Sequence, residues 1–244
     1  MHPTGNDRVL SSHPQDLQGF YNEAFESEFA DHVPAPNASS VPSDSVTKTG
    51  TTTVGLQTAD GVVLATDRRA SLGRMVSSKN VIKVEQIHPT AALTIAGSVS
   101  AAQSLLRTLR AEVNLYEARR GEHMSITGLS TLAANLLRSG AFFIVQPVLG
   151  GVDDEGNHIY SLDPLGASMK EEYTVSGSGS QFALGVLEQQ YDEEHSIEEA
   201  REVATRSIES AIERDTASGN GIAIATITED GVEIEDFDDI EAAL

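Results

Sequence analysis

The sequence predicts an α+β domain, and three observations carry that prediction. Apolar runs of strand length come in clusters, helical periodicity appears in pairs between the clusters, and short turns join consecutive strands. Clustering of this kind argues against the strict strand and helix alternation of a parallel doubly wound sheet. The first cluster covers 51–58, 62–67, 81–87 and 91–97, with Ala59, Asp60 and Gly61 turning the first strand back on the second. Leu105, Leu109, Val113 and Tyr116 then recur at helical spacing within 98–120, and Leu129, Leu132, Leu136 and Leu137 repeat the signal before Gly140 closes that helix. Strand character returns at 142–151, 158–163 and 171–177, with turns at 153–156 and 163–166. Helical segments follow at 180–191 and 197–214, the second opened by Ser196 and Glu199 as a capping box. The last strands are 222–228 and the VEIEDF run, paired across Asp230 and Gly231.

Composition bounds the function classes. The chain has 244 residues, and 51–244 is comfortable for one domain with a sizeable core. Segment 1–50 differs in texture. It holds Pro3, Pro14, Pro34, Pro36 and Pro42 among scattered Ser, Asn and Asp, with one aromatic patch at Phe20, Tyr21, Phe25 and Phe29, and reads as a mostly disordered leader. It lacks the cationic start and apolar stretch of a secretory signal, and no segment reaches the length of a membrane span, so a soluble cytoplasmic protein is expected. Cysteine is absent and the seven His show no ligand spacing; they read as surface or turn residues, and no metal or cofactor is expected. There are 16 basic and 37 acidic residues, a net of −21. The leader holds seven acidic and two basic residues, leaving 30 acidic and 14 basic, a net of −16 for 51–244. Such a surface repels phosphate backbones, which excludes nucleic acid as a partner class, and points to adaptation to high salt. The acidic stretch 229–241 reads as a solvated end. Lysine is scarce, at Lys48, Lys79, Lys83 and Lys170 against twelve Arg, so Lys83 between Ile82 and Val84 stands out.

The chemistry is concentrated at Gly50-Thr51, in the run TKTGTTTVGL. Cleavage there would leave Thr51 as a new N-terminus, with a hydroxyl nucleophile and an amine of pKa roughly 7.7–8.0 on one residue. Taken alone the run is an ordinary Thr-rich strand. Asp67 in ATDRR follows sixteen residues later and Lys83 sixteen after that. The ordered set TGTTTVG, ATDRR, KV at 83–84, TIAG at 94–97, GSGS at 177–180 and RDTASG at 214–219 resembles archaeal proteasome β subunits.

That resemblance implies the N-terminal nucleophile hydrolase fold, a four-layer αββα sandwich of two antiparallel sheets flanked by helix pairs. It implies a propeptide, 1–50, removed when Thr51 attacks the carbonyl of Gly50, and a peptidase domain over 51–244. Thr51 would be the nucleophile, Lys83 a positive charge beside it, and Asp67 the holder of that lysine. Gly97, at the end of TIAG, is the candidate oxyanion donor. Ser178, Asp215 and Ser218 match the positions around the terminal amine. Ala70, Val81, Ile95 and Val99 match the pocket for the residue before the scissile bond, and being apolar they suggest cleavage after hydrophobic residues. The partners implied are other β subunits in a seven-membered ring, α-subunit rings, a regulatory ATPase and unfolded polypeptides. The alternatives are an inactive ring subunit, which an intact Thr51, Asp67 and Lys83 argue against, a small-molecule N-terminal nucleophile amidase, and an acidic binding module with a Thr-rich strand.

Overall fold

The computed structural model describes residues 50–142 and 144–244, so the expected leader lies outside the described residues except for Gly50. The elements in order are β1 (Thr52–Gln57), β2 (Val62–Asp67), β3 (Ala70–Leu72), β4 (Met75–Ser78), β5 (Val84–His88) and β6 (Ala91–Thr94). Helices α1 (Val99–Arg120) and α2 (Ile126–Arg138) follow, then β7 (Val148–Asp153), β8 (Gly156–Leu162), β9 (Ser168–Glu171) and β10 (Tyr173–Gly177). Helices α3 (Ser180–Gln190) and α4 (Ile197–Ile212) precede β11 (Ile222–Thr228) and β12 (Gly231–Phe237), and a 3-10 turn at Ile240–Ala243 follows.

The strands form two five-stranded antiparallel sheets, ordered β10-β1-β2-β11-β12 (sheet I) and β5-β6-β7-β8-β9 (sheet II), with β3-β4 as a separate hairpin. Alternation along each strand decides which layer a side chain enters. Val63 and Ala65 of β2 pack with Ala183 and Leu187 of α3 and Ala204 and Ile208 of α4. Their neighbours Val62 and Leu64 meet Val148, Val152 and Ile159 of sheet II. On the other side of sheet II, Leu93, Leu149 and Leu162 pack with Leu105, Leu109, Leu129 and Leu137 of α1 and α2. Three apolar layers therefore separate four layers of structure, the αββα order. Strand β2 is buried at every position because both its faces are covered.

Local chemistry sets the helix ends. Ser98 and Ser125 cap α1 and α2 by accepting from Ala101 and Gly128 N–H, and Gly121 ends α1 at φ 73°. The Ser196 and Glu199 box at α4 is present in both directions. The start of α2 is also tied to sheet II. Asp153 accepts from Ile126 N–H (2.7 Å) and Glu155 N–H (2.9 Å) and bonds His158 Nε2 (2.8 Å). Burial would raise the Asp153 carboxyl, but these contacts outweigh it and hold the pKa below its ordinary 3.8. A depressed carboxyl contributes stability that is present above 3.8 and lost as pH falls through the lowered folded value. Asp153→Asn is expected to cost about 1–3 kcal/mol at neutral pH and to flatten the acid limb of a stability profile. Equal chemical-denaturation midpoints for variant and parent at pH 7 and pH 3 would count against this.

The structure departs from the sequence reading in several places. The 81–87 run is a strand only from Val84; before it, Val81 N–H donates to Arg68 O (3.0 Å) and Lys83 O accepts from Ile95 N–H (2.7 Å), bridging the two sheets. The 142–151 run is a strand only from Val148, because Pro147 has no N–H to pair and Val145 makes an isolated bridge to Gly97. The 171–177 run changes sheets at Glu172. The β3-β4 hairpin was not expected. His88 and His158 are buried rather than on the surface. Within the acidic stretch, Asp236 and Asp238 pair with the buried Arg68 guanidinium at 3.0 and 2.5 Å, so these two acids are structural. Among the described residues, no helix is long and apolar enough to cross a membrane.

Candidate active site

Antiparallel pairing brings four strand ends together at one end of sheet I. Thr52 pairs with Gly177, Thr53 with Thr66, and Ile222 with Asp67. The start of β1, the ends of β2 and β10 and the approach to β11 therefore meet, and the 81–83 bridge adds Lys83.

At their centre Thr51 Oγ1 donates to Asp67 Oδ1 (2.8 Å) and accepts from Lys83 Nζ. Lys83 Nζ also reaches Asp67 Oδ1 at 2.7 Å. Asp67 is fully buried and Lys83 is 4% exposed. A buried carboxylate is tolerable only when its lone pairs are occupied. Besides Thr51 and Lys83, Asp67 accepts backbone N–H groups from Thr52 (2.9 Å), Arg69 (3.0 Å) and Gly219 (2.9 Å). Burial lowers the Lys83 pKa from 10.5, and the attraction and hydrogen bond of Asp67 only partly oppose it.

A second group surrounds the Thr51 nitrogen. Ser178 Oγ accepts from Thr51 N–H (3.2 Å) and donates to Asp215 Oδ2 (2.6 Å). Ser218 Oγ donates to the same oxygen (2.7 Å). With its one proton committed, Ser218 accepts from Thr52 Oγ1 (2.7 Å). Glycines admit this crowding. A Cβ on Gly179 would stand 2.1 Å from Thr52 Oγ1, and one on Gly50 would stand 1.9 Å from Ala217 Cβ. Gly50 is not at positive φ, so what glycine supplies there is room rather than a special backbone conformation.

Gly97 has φ 117°, and a Cβ there would lie 1.8 Å from Ile144 O. Its bridge to Val145 bonds through the neighbours, Ser98 N–H to Ile144 O (3.1 Å) and Gln146 N–H to Ala96 O (2.9 Å). The amide of Gly97 itself stays out of that pairing. A cavity beside Thr51 is lined by Gly97, Lys83 and all four expected pocket residues, Ala70, Val81, Ile95 and Val99. Every site residue expected from the sequence therefore lies in this cluster or on its cavity wall.

Residues 47–227 match the family described as proteasome subunit. The chain belongs to the proteasome subunit family. It is 65% identical to a proteasome subunit beta of Haloquadratum walsbyi over 98% of each chain. It is 63% identical to that of Haloferax volcanii over 92% of this chain and 93% of the relative. For the Halorubrum lacusprofundi protein of the same name the identity is 68%, over 79% and 81%. The chain is a β-type member of the proteasome family, whose β subunits assemble into the 20S core, and these relatives are all haloarchaeal.

Several residues of this proteasome subunit's site escaped the sequence reading. Thr52 and Arg69 enter through hydrogen bonds described above, and the Arg69 side chain also holds the β11 approach through Asn220 (2.9 Å) and Thr216 O (2.8 Å). Glu85 and Gln103 line the cavity, so its wall is not uniformly apolar. The Glu85 carboxylate is held by Arg110 of α1 at 2.8 Å. Spacing carried a signal for both: Glu85 is two residues past Lys83, and Gln103 is one helical turn past Val99.

Proposed function

We propose that this chain is a catalytic β subunit, a threonine endopeptidase that activates itself by cleavage between Gly50 and Thr51. The observation that carries the reading is a buried threonine hydroxyl held between Lys83 Nζ and Asp67 Oδ1, directly after a glycine. In the precursor the Thr51 nitrogen is an amide and cannot act as a base. Asp67 Oδ1, which already accepts the Thr51 hydroxyl in a hydrogen bond, then takes its proton while Lys83 Nζ, donating to Oγ1, supports the developing charge as Oγ1 attacks the carbonyl of Gly50. As the Gly50 C–N bond breaks, the proton taken from Oγ1 passes to the departing Thr51 nitrogen, the acyl group is left on Oγ1, and water hydrolyses that ester to a Gly50 carboxylate and a free Thr51 amine.

In the mature site that amine receives the hydroxyl proton while Oγ1 attacks a substrate carbonyl. Lys83 supplies a fixed positive field, and Ser178, Asp215 and Ser218 orient the amine. Gly97 N–H stabilises the oxyanion, and the departing amine takes the proton before water releases the acyl group. Ala70, Val81, Ile95 and Val99 favour an apolar residue before the cut, with Glu85 and Gln103 adding a polar element to the wall. The working form is a seven-membered β ring between α rings in the cytoplasm, fed with unfolded chains by an ATPase. Intact-mass analysis of assembled, active particles tests the reading: the chain should begin at Thr51, and active particles that retain Met1 would overturn it.

With a net of −16 on 51–244, copies of the chain packed in a ring repel one another. The screening length is about 30 Å at 0.01 M salt and about 3 Å at 1 M. Particles should dissociate and lose activity as salt is lowered and recover when it is restored. Sedimentation across a salt series checks this; particles equally intact at both extremes would make the acidity incidental.

A further inference from the structure

At the opposite end of β5 from Lys83, three segments bring His88, Glu117 and His123 together. One ring nitrogen from each histidine and a carboxylate oxygen of Glu117 all lie within 4.8 Å of one another. Glu117 Oε1 is 3.4 Å from His88 Nε2 and 2.9 Å from His123 Nδ1. Two ligands on a tetrahedral ion at about 2.0–2.1 Å stand about 3.4 Å apart, so small side-chain rotations complete the geometry. His88 is 5% exposed, and among the described residues its buried Nε2, directed at Glu117, has no hydrogen-bond partner. A buried nitrogen left in that state calls for an explanation.

We propose that His88 Nε2, Glu117 and His123 Nδ1 form a binding site for a divalent ion of the zinc type. Two neutral imidazoles and one carboxylate suit zinc, whereas magnesium and calcium take oxygen ligands. Water fills the remaining position from the exposed His123 side. Ligation fixes the His88 tautomer. Its Nδ1 proton goes to Thr90 Oγ1 at 3.3 Å, replacing the contact that Thr90 N–H now makes to the same nitrogen at 3.2 Å. The ion joins the end of α1 and the α1-α2 connector to β5, the edge strand of sheet II. No sequence motif signals the site, because its ligands come from three separate segments.

The test is a titration of the full chain, stripped with chelator, using zinc chloride and, for its visible spectrum, cobalt chloride. The parent should bind one ion at this site with a four-coordinate cobalt spectrum that magnesium does not displace. Losing even an outer partner of a metal site costs about 10- to 100-fold in affinity, so His123→Ala and Glu117→Gln should each weaken binding at least as much. His123 is exposed, so its variant folds, and its comparison with the parent also separates this site from the histidines of 1–50. Zinc should raise the melting temperature of the parent and not of His123→Ala, while metal-free peptidase activity stays equal in the two. No zinc binding to the parent, equal affinity in parent and both variants, or displacement by magnesium would each overturn the proposal.

Discussion

Replacing Thr51 by alanine is expected to leave residues 1–50 attached and reduce peptide hydrolysis to background. The variant keeps everything around the nucleophile: Lys83 and Asp67 still pair at 2.7 Å, and Asp67 still accepts three backbone N–H groups. The fold should survive. What is lost is the one oxygen on which both the leader cut and substrate attack depend. Residues acting as a catalytic unit fail together, and loss of a nucleophile removes roughly 10⁶ in turnover in hydrolases of comparable design. Thr51→Ser keeps a hydroxyl and should retain measurable cutting of both kinds. Thr52→Ala gives up its bond to Ser218 but leaves the nucleophile in place, so its loss should be far smaller. Intact mass and hydrolysis of a fluorogenic peptide read both effects. A Thr51→Ala particle that sheds its leader unaided, or that hydrolyses peptide, would assign the chemistry elsewhere.

Lys83→Ala should lower turnover by about 10²–10³-fold or more, the usual worth of a preorganised electrostatic group. Lys83→Arg should fail nearly as completely. The ammonium contacts Thr51 and Asp67 from a position 4% exposed, and a longer planar guanidinium does not fit a space shaped for a compact charge. Removing one member of a buried pair commonly costs about 3–5 kcal/mol, here moderated by the three amides that remain on Asp67. Circular dichroism and sedimentation of the particle separate lost chemistry from lost fold. Near-normal turnover in Lys83→Arg would reduce the lysine to a structural part.

What the sequence disclosed follows from what hydrophobic patterning encodes. Strands β1, β2, β6 and β11 and all four helices were legible because each buries an apolar face. The β3-β4 hairpin was not, since Leu72, Met75 and Val76 are exposed and no burial signature marks it. The switch between sheets at Glu172 was invisible for another reason: a period of two shows that a strand continues, not which strand it pairs with. In the site, Thr51, Asp67 and Lys83 were legible by side-chain type. The amides of Thr52, Arg69 and Gly219 were not, because every non-proline residue has one. His88 looked like a surface residue because the groups that bury it are distant in sequence.

Strand ends are ordinarily the first parts of a sheet to open. Here the five hydrogen bonds on Asp67 come from four stretches of chain, two of them at strand termini, and converge on one buried carboxylate. Opening any one stretch takes a partner from that buried charge, so each opening carries a cost beyond its own hydrogen bond. The amides of Thr52, Arg69 and Gly219 are therefore expected to exchange slowly with solvent, and those of the exposed β3-β4 hairpin a few residues away faster, in a hydrogen-exchange measurement. Accuracy at the nucleophile is in this sense borrowed from the global cooperativity of the fold. A mutation in the distant apolar layers that lowers that cooperativity will loosen the reacting groups as well, without touching any of them.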